Sequence, residues 1–531
     1  MCYTMFMQAI FDTSANFADL RKRDCIYVDK TMYLHRLITD PGRSSFFFSR
    51  PRRFGKSLML STLESIFMGR RDLFKGLYID TQTDYAWPVV PVIHLDFSDV
   101  NVATMDDFRD GFSECIEDAL SAANYSYDPD APATTNFKRA VRKLSDNGNT
   151  PIAVLVDEYD APIDHALDNP VLAKEIRACL APFYASFKKM NGRYIRFMLM
   201  TGVARFTKFS VFSSLNSPVD LSTEPSCAGM LGYTETELDT YFSEHMHHRA
   251  EAMRMPYAAY REELRRWFNG YRFTRAETKV YNPVSIAQTL TGESLKFEAP
   301  WTRTGRPQML SWFLKTHDVT ALPFESGITT NIDALETSTE LDALDPIPML
   351  YQTGYLTISE GSLDSDTVTL RFPDEEVRRD MYRFLADIRA RREGWCLQTL
   401  AYLEDGKMDE FLTSLTALYA AQPSHSKDPH PPESHYQSIL HTALLGGGFL
   451  CQCECAQSSR KRCDIVAETP KYIYIFELKR GKRLSAKTAV KQIIDRDYAA
   501  PHRGKGKPVI AVGLVFHPDD RTLRDTAWEP L

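Results

Sequence analysis

Three consecutive residues, Gly55, Lys56 and Ser57, stand where an apolar segment gives way to an amphipathic one, within FFFSRPRRFGKSLMLSTLESIF. The pattern predicts a strand, a tight basic turn and a helix. Glycine lets the backbone close around an anion, and the amides at a helix N-terminus point toward it. Lysine can reach the β- and γ-phosphates, and a serine hydroxyl can bind Mg²⁺. The spacing therefore predicts a phosphate-binding loop for a nucleotide with Mg²⁺.

The general form of this motif has an earlier glycine, and here position 50 is Arg50. A second segment supports the interpretation. The apolar run 152–156 ends in Asp157 and Glu158, as expected of a buried parallel strand followed by carboxylates. Asp157 is then a candidate Mg²⁺ ligand, and Glu158 a candidate for orienting the attacking water. Taken alone, this segment is equally compatible with a buried strand and an acidic turn.

A second group of chemically useful residues lies near the C-terminus, in KRCDIVAETPKYIYIFELKRG. The turn at Thr469-Pro470-Lys471 predicts a hairpin that brings Asp464 across from Glu477. Glu477 and Lys479 are two residues apart, so on a strand they face the same side. Two carboxylates can hold Mg²⁺ for phosphodiester cleavage, and Lys479 can position water or stabilise negative charge. An ordinary amphipathic hairpin with a charged edge is the alternative.

Composition and charge narrow the class of protein. The chain has 531 residues, enough for two to four domains, with 44% hydrophobic and 25% charged residues and a net charge of −7. Residues 461–510 nevertheless carry thirteen Lys and Arg against five Asp and Glu, a local net of +8. A basic surface beside carboxylates suits a nucleic-acid partner. We see no secretory signal and no membrane-length apolar stretch, and expect a soluble, cytoplasmic protein.

Several segments resemble the bacterial AAA-ATPase-like family, whose members typically carry a C-terminal PD-(D/E)XK nuclease domain. The resemblance covers nearly the whole chain in the same order. It rests on the segments YVDKTMYL, SRPRRFGKSL, LFKGLYI, VLVDEYDAPI and TGVARFTKFSVFSSLN. In that family the RPRRFGKS form of the loop is usual, so Arg50 is no departure from it.

The resemblance also implies roles for further residues. In the first site it adds the remaining nucleotide-binding candidates, which are Arg53, Phe54, Leu58 and Thr201. In the second it adds Glu433, an acidic residue upstream on a helix, and Gln492 with Tyr498 on a helix that packs against the site. ATP and Mg²⁺ are the implied cofactors. The family commonly has Gly-Arg shortly before the motif aspartate, where this chain has Lys461-Arg462-Cys463-Asp464.

The pattern predicts an α/β fold with a P-loop core, a helical lid, a small winged-helix-like connector and a C-terminal α/β domain of PD-(D/E)XK type. Strands are expected at 45–49, 89–97, 152–156 and 194–201. We place the ATPase domain at residues 1–230, the lid at 231–299, the connector at 300–390 and the nuclease-like domain at 391–531. The connector has balanced charges, which favours a linking role over nucleic-acid binding.

The ten cysteines include a cluster at 451, 453, 455 and 463. Its C-x-C-x-C spacing is not that of a zinc finger. Cysteines at every second position favour one buried face of a strand, with reduced thiols.

Two functions fit these observations. The first is an ATPase that controls a Mg²⁺-dependent nuclease. The second is a nucleotide-dependent switch whose C-terminal domain is a binding module with little or no nuclease activity. A peptide-remodelling ATPase is a weaker third interpretation, since no pore loop is evident. AAA-like domains often form rings in which an arginine of one subunit reaches the nucleotide of the next. A homo-oligomer is therefore compatible with the class. Arg205 and Lys208 are candidates, by position, for the residue that reaches the neighbouring nucleotide.

Overall fold

The computed structural model describes residues 8–10, 16–148, 150–203, 218–303, 308–317, 319, 322–336, 345–362, 365–421, 432–456, 462–519 and 522–531. Arg205, Lys208 and Lys461 therefore lie outside the described residues. The chain divides into two compact units, Met1–Glu376 and Val377–Leu531.

The first unit is built on a five-stranded sheet whose described pairs are all parallel, in the order β2-β3-β4-β1-β5. The strands are β1 Ser45–Ser49, β2 Val92–Asp96, β3 Ile152–Asp157, β4 Ile195–Gly202 and β5 Val219–Asp220. All residues of β1 and β3 are buried, which explains their unbroken apolar sequences. The four predicted strands are confirmed. Parallel pairing places the carboxyl ends of β1, β3 and β4 at one edge of the sheet.

Eight helices of the described part of this unit precede or connect these strands: α1 Phe17–Lys22, α2 Thr31–Ile38, α3 Lys56–Phe67, α4 Tyr78–Thr81, α5 Met105–Ala122, α6 Ala133–Gly148, α7 Ala161–His165 and α8 Pro170–Met190. Helix α3 follows β1 after a six-residue turn and packs on the sheet through Leu60, Leu63 and Ile66, each fully buried. Burying these side chains fixes where α3 begins, and therefore where the turn before it lies.

A helical segment follows the sheet, as the sequence predicts for the lid. Its elements are α9 Glu235–Ala252, α10 Tyr257–Phe268, the antiparallel pair β6 Asn269–Tyr271 and β7 Val280–Tyr281, and α11 Pro283–Thr291. The start of α9 is fixed by a capping box, in which the Thr234 side chain and Glu237 satisfy each other's backbone amides.

The last part of the first unit contains a three-stranded antiparallel sheet in the order β8-β10-β9. The elements are α12 Pro300–Arg303, α13 Gln308–Thr316, β8 Ile328–Asn331, α14 Ile332–Glu336, α15 Pro346–Gln352, β9 Thr357–Glu360 and β10 Thr367–Arg371. Helix, strand, two helices and a hairpin form the order of a winged-helix unit. Residues 377–390, which the sequence predicts as part of the connector, fall in the second unit.

The second unit carries a five-stranded sheet in the order β11-β12-β13-β14-β15, in which only the β13–β14 pair among these described strands is parallel. Its strands are β11 Leu450–Ala456, β12 Arg462–Glu468, β13 Ile473–Arg480, β14 Val509–Phe516 and β15 Leu523–Pro530. Its helices are α16 Glu375–Ala390, α17 Trp395–Glu404, α18 Met408–Ala420, α19 Glu433–Gly446 and α20 Ala486–Asp495. The first two residues of α16 belong to the first unit, which ends at Glu376. The predicted hairpin is β12–β13.

The clustered cysteines depart from the expected single buried face. Cys451 packs against the core on the edge strand β11, but Cys453 on the same strand is exposed. The prediction of one buried cysteine face is therefore wrong for Cys453. In the part of the chain that the structure describes, no helix combines the length and the apolar character that crossing a bilayer requires.

Candidate active sites

The turn between β1 and α3 has the backbone geometry of an anion-binding loop. Gly55 caps α3 at φ 96°, and Arg53 also lies in the left-handed region at φ 69°. Gly55 adopts that conformation without the strain a Cβ would add. The first amides of α3, including those of Lys56, Ser57 and Leu58, belong to the free N-terminal turn of the helix. The turn can therefore receive a phosphate group at its centre.

Arg50 explains how this loop forms without its first glycine. Its guanidinium lies 4.5 Å from the ring centre of Phe48 and 4.4 Å from that of Phe273. It also donates to the carbonyl oxygen of Ser222 at 2.7 Å. Only 2% of Arg50 is exposed. The side chain thus anchors the start of the loop away from its anion-binding face, where a general P-loop uses glycine.

Lys56 points into the loop. Its Nζ donates to the carbonyl oxygens of Arg50 at 3.1 Å and Pro51 at 3.4 Å, and lies 3.3 Å from Oε1 of Glu158. The ammonium is nearly buried, with 4% of the side chain exposed. Phosphate oxygens are stronger acceptors than peptide carbonyls for such a buried cation. The structure therefore places Lys56 and Glu158, both candidates from the sequence, side by side.

Asp157 ends β3 at the same edge of the sheet. Its Oδ1 accepts from the hydroxyl of Thr201 on β4, and the hydroxyl of Ser57 is near enough to lower the pKa of the carboxyl group. Burial and the adjacent charge of Glu158 raise the pKa of Asp157, while the two hydroxyls and Lys56 act in the opposite direction. The Asp157 carboxylate and the neighbouring Ser57 hydroxyl form an all-oxygen donor set, which fits Mg²⁺.

A cavity of about 560 Å³ opens beside these residues. It is lined by the predicted loop residues Arg53, Phe54, Gly55, Lys56, Ser57 and Leu58, together with Glu158. Its lining also includes apolar and aromatic side chains, among them Tyr27, Val28, Leu231, Tyr233, Val284 and Ala287. A cavity of this size with both charged and apolar side chains suits a nucleotide, with the base against the apolar ones. We call this cavity and its lining the loop site.

The support behind the loop could not be found from local sequence patterns. The carbonyl oxygen of Arg52 accepts from Trp301 Nε1 at 3.1 Å and Asn282 Nδ2 at 3.5 Å. Phe54 packs edge-on against Tyr271, with ring centres 4.8 Å apart. Arg52 also pairs with Asp164, at 3.1 Å. All these partners are more than a hundred residues from the loop in sequence, so no short sequence pattern could have predicted these contacts.

We expect the Gly354→Val variant to weaken ATP binding roughly tenfold or more, because small misplacements of a binding loop have large effects. Gly354 lies behind the loop at φ +85°, and a Cβ there would be 2.6 Å from Cγ of Pro51. Gly76→Val is the matched control, since Gly76 has φ +84° and no described atom within 4 Å of its Cβ position. Titration with a fluorescent ATP analogue measures the effect. Equal affinity in the two variants would show that this contact does not position the loop.

The predicted residues of the second unit converge on the β12–β13 hairpin. The amide of Leu478 donates to Oδ2 of Asp464 at 2.7 Å, which holds that carboxylate beside Glu477. Lys479 Nζ donates to Oε1 of Glu477 at 2.7 Å. Gln492 Nε2, on α20, donates to the same Oε1. We call Glu433, Asp464, Glu477, Lys479 and Gln492 the hairpin site.

The charges of the hairpin site act on one another. Burial raises the pKa of Glu477, the hydrogen bond from Lys479 opposes this shift, and Asp464 adds to it. Burial also raises the pKa of Glu433, at the start of α19, with Lys479 lowering it and Asp464 raising it. Burial acts to lower the pKa of Lys479, but the hydrogen bond and charges of Glu477, Asp464 and Glu433 raise it overall. The charges of Glu433, Asp464, Glu477 and Lys479 therefore influence one another's protonation.

Whether the hairpin site suits Mg²⁺ can be judged from the Oε2 atom of Glu477. Glu477 is 2% exposed, and its Oε2 is buried without a hydrogen-bond partner among the described residues. Such an acceptor is costly unless a donor or cation satisfies it. Within the described part of the chain, no group of three His, Cys, Asp or Glu side chains is arranged to hold a metal ion. Two carboxylates still suit Mg²⁺, which usually keeps several waters.

Three residues that sequence analysis missed support this site. Gly513, opposite Glu477 on β14, allows α20 to approach, since a Cβ there would overlap the carbonyl oxygen of Ala486. Gln437, one turn after Glu433, donates to the Asp464 carbonyl at 2.8 Å. Arg496, four residues after Gln492, donates to the Tyr498 hydroxyl at 3.0 Å and lowers the pKa of Glu477. Helical spacing from Glu433 and Gln492 could have indicated the last two.

A parallel sheet with a Gly-Lys-Ser loop and a second α/β unit with an Asp…Glu-x-Lys hairpin define the class of P-loop ATPase-like proteins with a nuclease-type domain. Residues 13–212 match the family model described as predicted AAA-ATPase, and residues 431–526 match that of the PD-(D/E)XK nuclease superfamily. The chain belongs to this AAA-ATPase-like family and carries a PD-(D/E)XK superfamily domain.

A curated relative covers nearly the same length. It is described as an uncharacterized protein in the vnfD 5' region of Azotobacter chroococcum mcd 1, and is 31% identical over 522 residues, covering 96% of each chain. Among solved structures, the Aeropyrum pernix ORC2 protein in ADPNP–ADP complexes matches 67% of this chain and 93% of its own. The identity is 13% and the TM-score 0.26, so this similarity carries no argument about function.

Proposed function

We propose that the first unit binds and hydrolyses ATP with Mg²⁺, and that its nucleotide state controls a Mg²⁺-dependent phosphodiesterase in the second unit that acts on nucleic acid. The observation that carries this proposal is the Oε2 atom of Glu477, which is buried beside Asp464 and has no partner among the described residues. The same chain has a loop before α3 whose backbone geometry suits a phosphate group.

In the loop site, the amides around Gly55 and the ammonium of Lys56 would bind the phosphates of ATP. Ser57 and Asp157 would hold Mg²⁺, which neutralises charge on the β- and γ-phosphates. Thr201 keeps the Asp157 carboxylate oriented through its hydroxyl. Glu158, 3.3 Å from Lys56 in this state, would orient the attacking water once phosphate oxygens take over the contacts of Lys56.

In the hairpin site, Asp464 and Glu477 would hold Mg²⁺, which polarises a phosphodiester and lowers the pKa of a bound water. Lys479 lies on the same side of β13 and would stabilise the developing negative charge. Gln492 orients Glu477 by its hydrogen bond. Glu433, whose pKa is affected by Lys479 and Asp464, would act as a further acidic group near the metal.

The substrate we propose is nucleic acid, DNA or RNA. Residues 461–510 have a net charge of +8, although the whole chain has −7. Lys487 and Lys491 are exposed on α20, the helix that carries Gln492. Such charges bind the phosphate backbone without reading sequence. Assembly into a homo-oligomer belongs to the same proposal and follows only from the family.

One observation favours a second function, a nucleotide-dependent switch with a binding module. The described residues offer no three-ligand metal group, and Lys479 occupies Oε1 of Glu477. A module that binds nucleic acid without cutting it would also keep the basic surface. The two functions differ in one measurable property, which is cleavage.

The test of control by nucleotide uses Glu158→Gln. We expect this variant to bind ATP normally and to hydrolyse it roughly 10²- to 10⁴-fold more slowly, because water positioning is lost while the phosphate contacts remain. The cleavage rate of the hairpin site is then measured with ATP trapped on the protein. Asp168→Asn, at an exposed position after α7, serves as the control. An unchanged rate of ATP hydrolysis would show that Glu158 does not orient the attacking water. A cleavage rate that is the same with and without trapped ATP would contradict control of the hairpin site by nucleotide.

A further inference from the structure

Arg52 stands in the middle of the loop and has a side chain with no role in the mechanism above. Its carbonyl faces outward to Trp301 and Asn282, so the backbone is held from behind. Its guanidinium reaches Asp164, with Nη2 and Oδ2 3.1 Å apart. The Arg52 side chain keeps 30% exposure, whereas that of Asp164 keeps 9%. The backbone of Arg52 is thus held in place, while its guanidinium group remains accessible to solvent.

The position of Asp164 relates the Arg52 guanidinium to the loop site. Asp164 is on α7, a helix that begins three residues after Glu158. Arg52, Lys56 and Glu158 all line the loop site. Because Lys56 is 3.3 Å from Glu158, the terminal phosphate must enter between or beside these two groups. Arg52 therefore lines the same cavity as Lys56 and Glu158, and its ion-pair partner lies on the helix that follows Glu158.

An arginine is chemically suited to this place. The transferred phosphoryl group spreads negative charge over three oxygens in the transition state, and a planar guanidinium donates to two of them at once. An arginine supplied by the same chain also needs no neighbouring subunit. The ion pair with Asp164 would hold the guanidinium ready in the absence of nucleotide.

We propose that Arg52 leaves Asp164 to contact the γ-phosphoryl group of bound ATP and stabilises the transition state of its hydrolysis in cis. This inference rests on the proposed ATPase function. In that reaction the water oxygen bonds to the γ-phosphorus, the bond from this phosphorus to the β–γ bridging oxygen breaks, and ADP, phosphate and a proton are released. Arg52 forms no covalent bond in it.

The test compares ATP and ADP, because only ATP has the γ-phosphoryl group. For Arg52→Ala we expect ATP affinity to fall roughly 10- to 100-fold, as for a lost hydrogen bond between charged groups, with ADP affinity nearly unchanged. Turnover should fall roughly 10³-fold, the effect of removing a catalytic arginine. Arg52→Lys should recover part of the ATP affinity. Arg71→Ala, which breaks the Arg71–Asp80 pair of 2.9 Å away from the cavity lining, should change neither quantity.

Asp164→Asn separates this role from simple anchoring of the loop. If the pair only holds the loop, Asp164→Asn and Arg52→Ala will weaken ATP and ADP alike, and the inference is overturned. If Arg52 serves the γ-phosphoryl group, Asp164→Asn will keep or raise ATP affinity. Mixing Arg52→Ala with Lys56→Met protein tests cis action: recovery of turnover would assign the arginine to a neighbouring subunit. Wild-type protein that binds neither nucleotide would instead overturn the ATPase proposal itself.

Discussion

Replacing Glu477 with glutamine is expected to reduce nucleic-acid cleavage roughly 10²-fold or more while leaving ATP hydrolysis unchanged. The side chain is buried, its Oε2 has no partner among the described residues, and its Oε1 receives Lys479 and Gln492. Glutamine keeps the volume but removes the charge that would hold Mg²⁺. Metal-assisted catalysis supplies several kcal/mol of transition-state stabilisation, so its loss is large.

The control for this change is Glu468→Gln, on the neighbouring strand β12. Glu468 is ion-paired with Lys505 at 2.7 Å and Lys507 at 2.8 Å, away from Asp464. It should cleave as the wild type does. A second measurement does not depend on activity: without nucleotide, Mg²⁺ should raise the melting temperature of the wild type more than that of Glu477→Gln, which keeps only the loop site for the ion. Wild-type cleavage by Glu477→Gln would rule out the hairpin site as the catalytic centre.

The second of the two largest effects, a loss of ATP affinity, is expected when Lys56 is replaced. Lys56→Met should weaken ATP binding roughly 10- to 100-fold or more, because a buried cation that bonds to phosphate is lost. Methionine keeps the apolar stem packed, which matters because only 4% of the Lys56 side chain is exposed. Calorimetric titration with ATP gives the affinity directly.

Lys75→Met provides the comparison, since Lys75 is exposed and outside the loop site. It should bind ATP as the wild type does. Normal ATP binding by Lys56→Met would show that the loop between β1 and α3 is not a phosphate-binding loop. Loss of binding in both variants would point to a general loss of folding, which circular dichroism detects.

Much of the fold could be predicted because its signals are local. The apolar runs that become β1 and β3 are buried along their whole length, and burial on both faces is what an unbroken apolar strand requires. The turn at Thr469-Pro470-Lys471 likewise determines the β12–β13 hairpin. Glu477 and Lys479 then fall on one side of β13 by the two-residue period of a strand.

The remaining features depend on contacts between distant parts of the chain. Arg50 could be recognised as a departure from the general motif, but its stacking on Phe273 depends on how the lid folds. The approach of Gly354 to Pro51 joins residues about three hundred positions apart. The Arg52–Asp164 pair requires that α7 turn back toward the loop. No periodicity records such pairs, and a single sequence gives no other signal of them.

The most direct test of the whole account is cleavage of a labelled panel of single- and double-stranded DNA and RNA. The panel is incubated with Mg²⁺, with and without ATP, using wild type beside Glu477→Gln. We predict that the wild type cleaves at least one substrate, that ATP changes the rate, and that the variant does not cleave. Cleavage of no substrate under any condition, with ATP still bound, would contradict the nuclease proposal and favour the nucleotide-dependent switch.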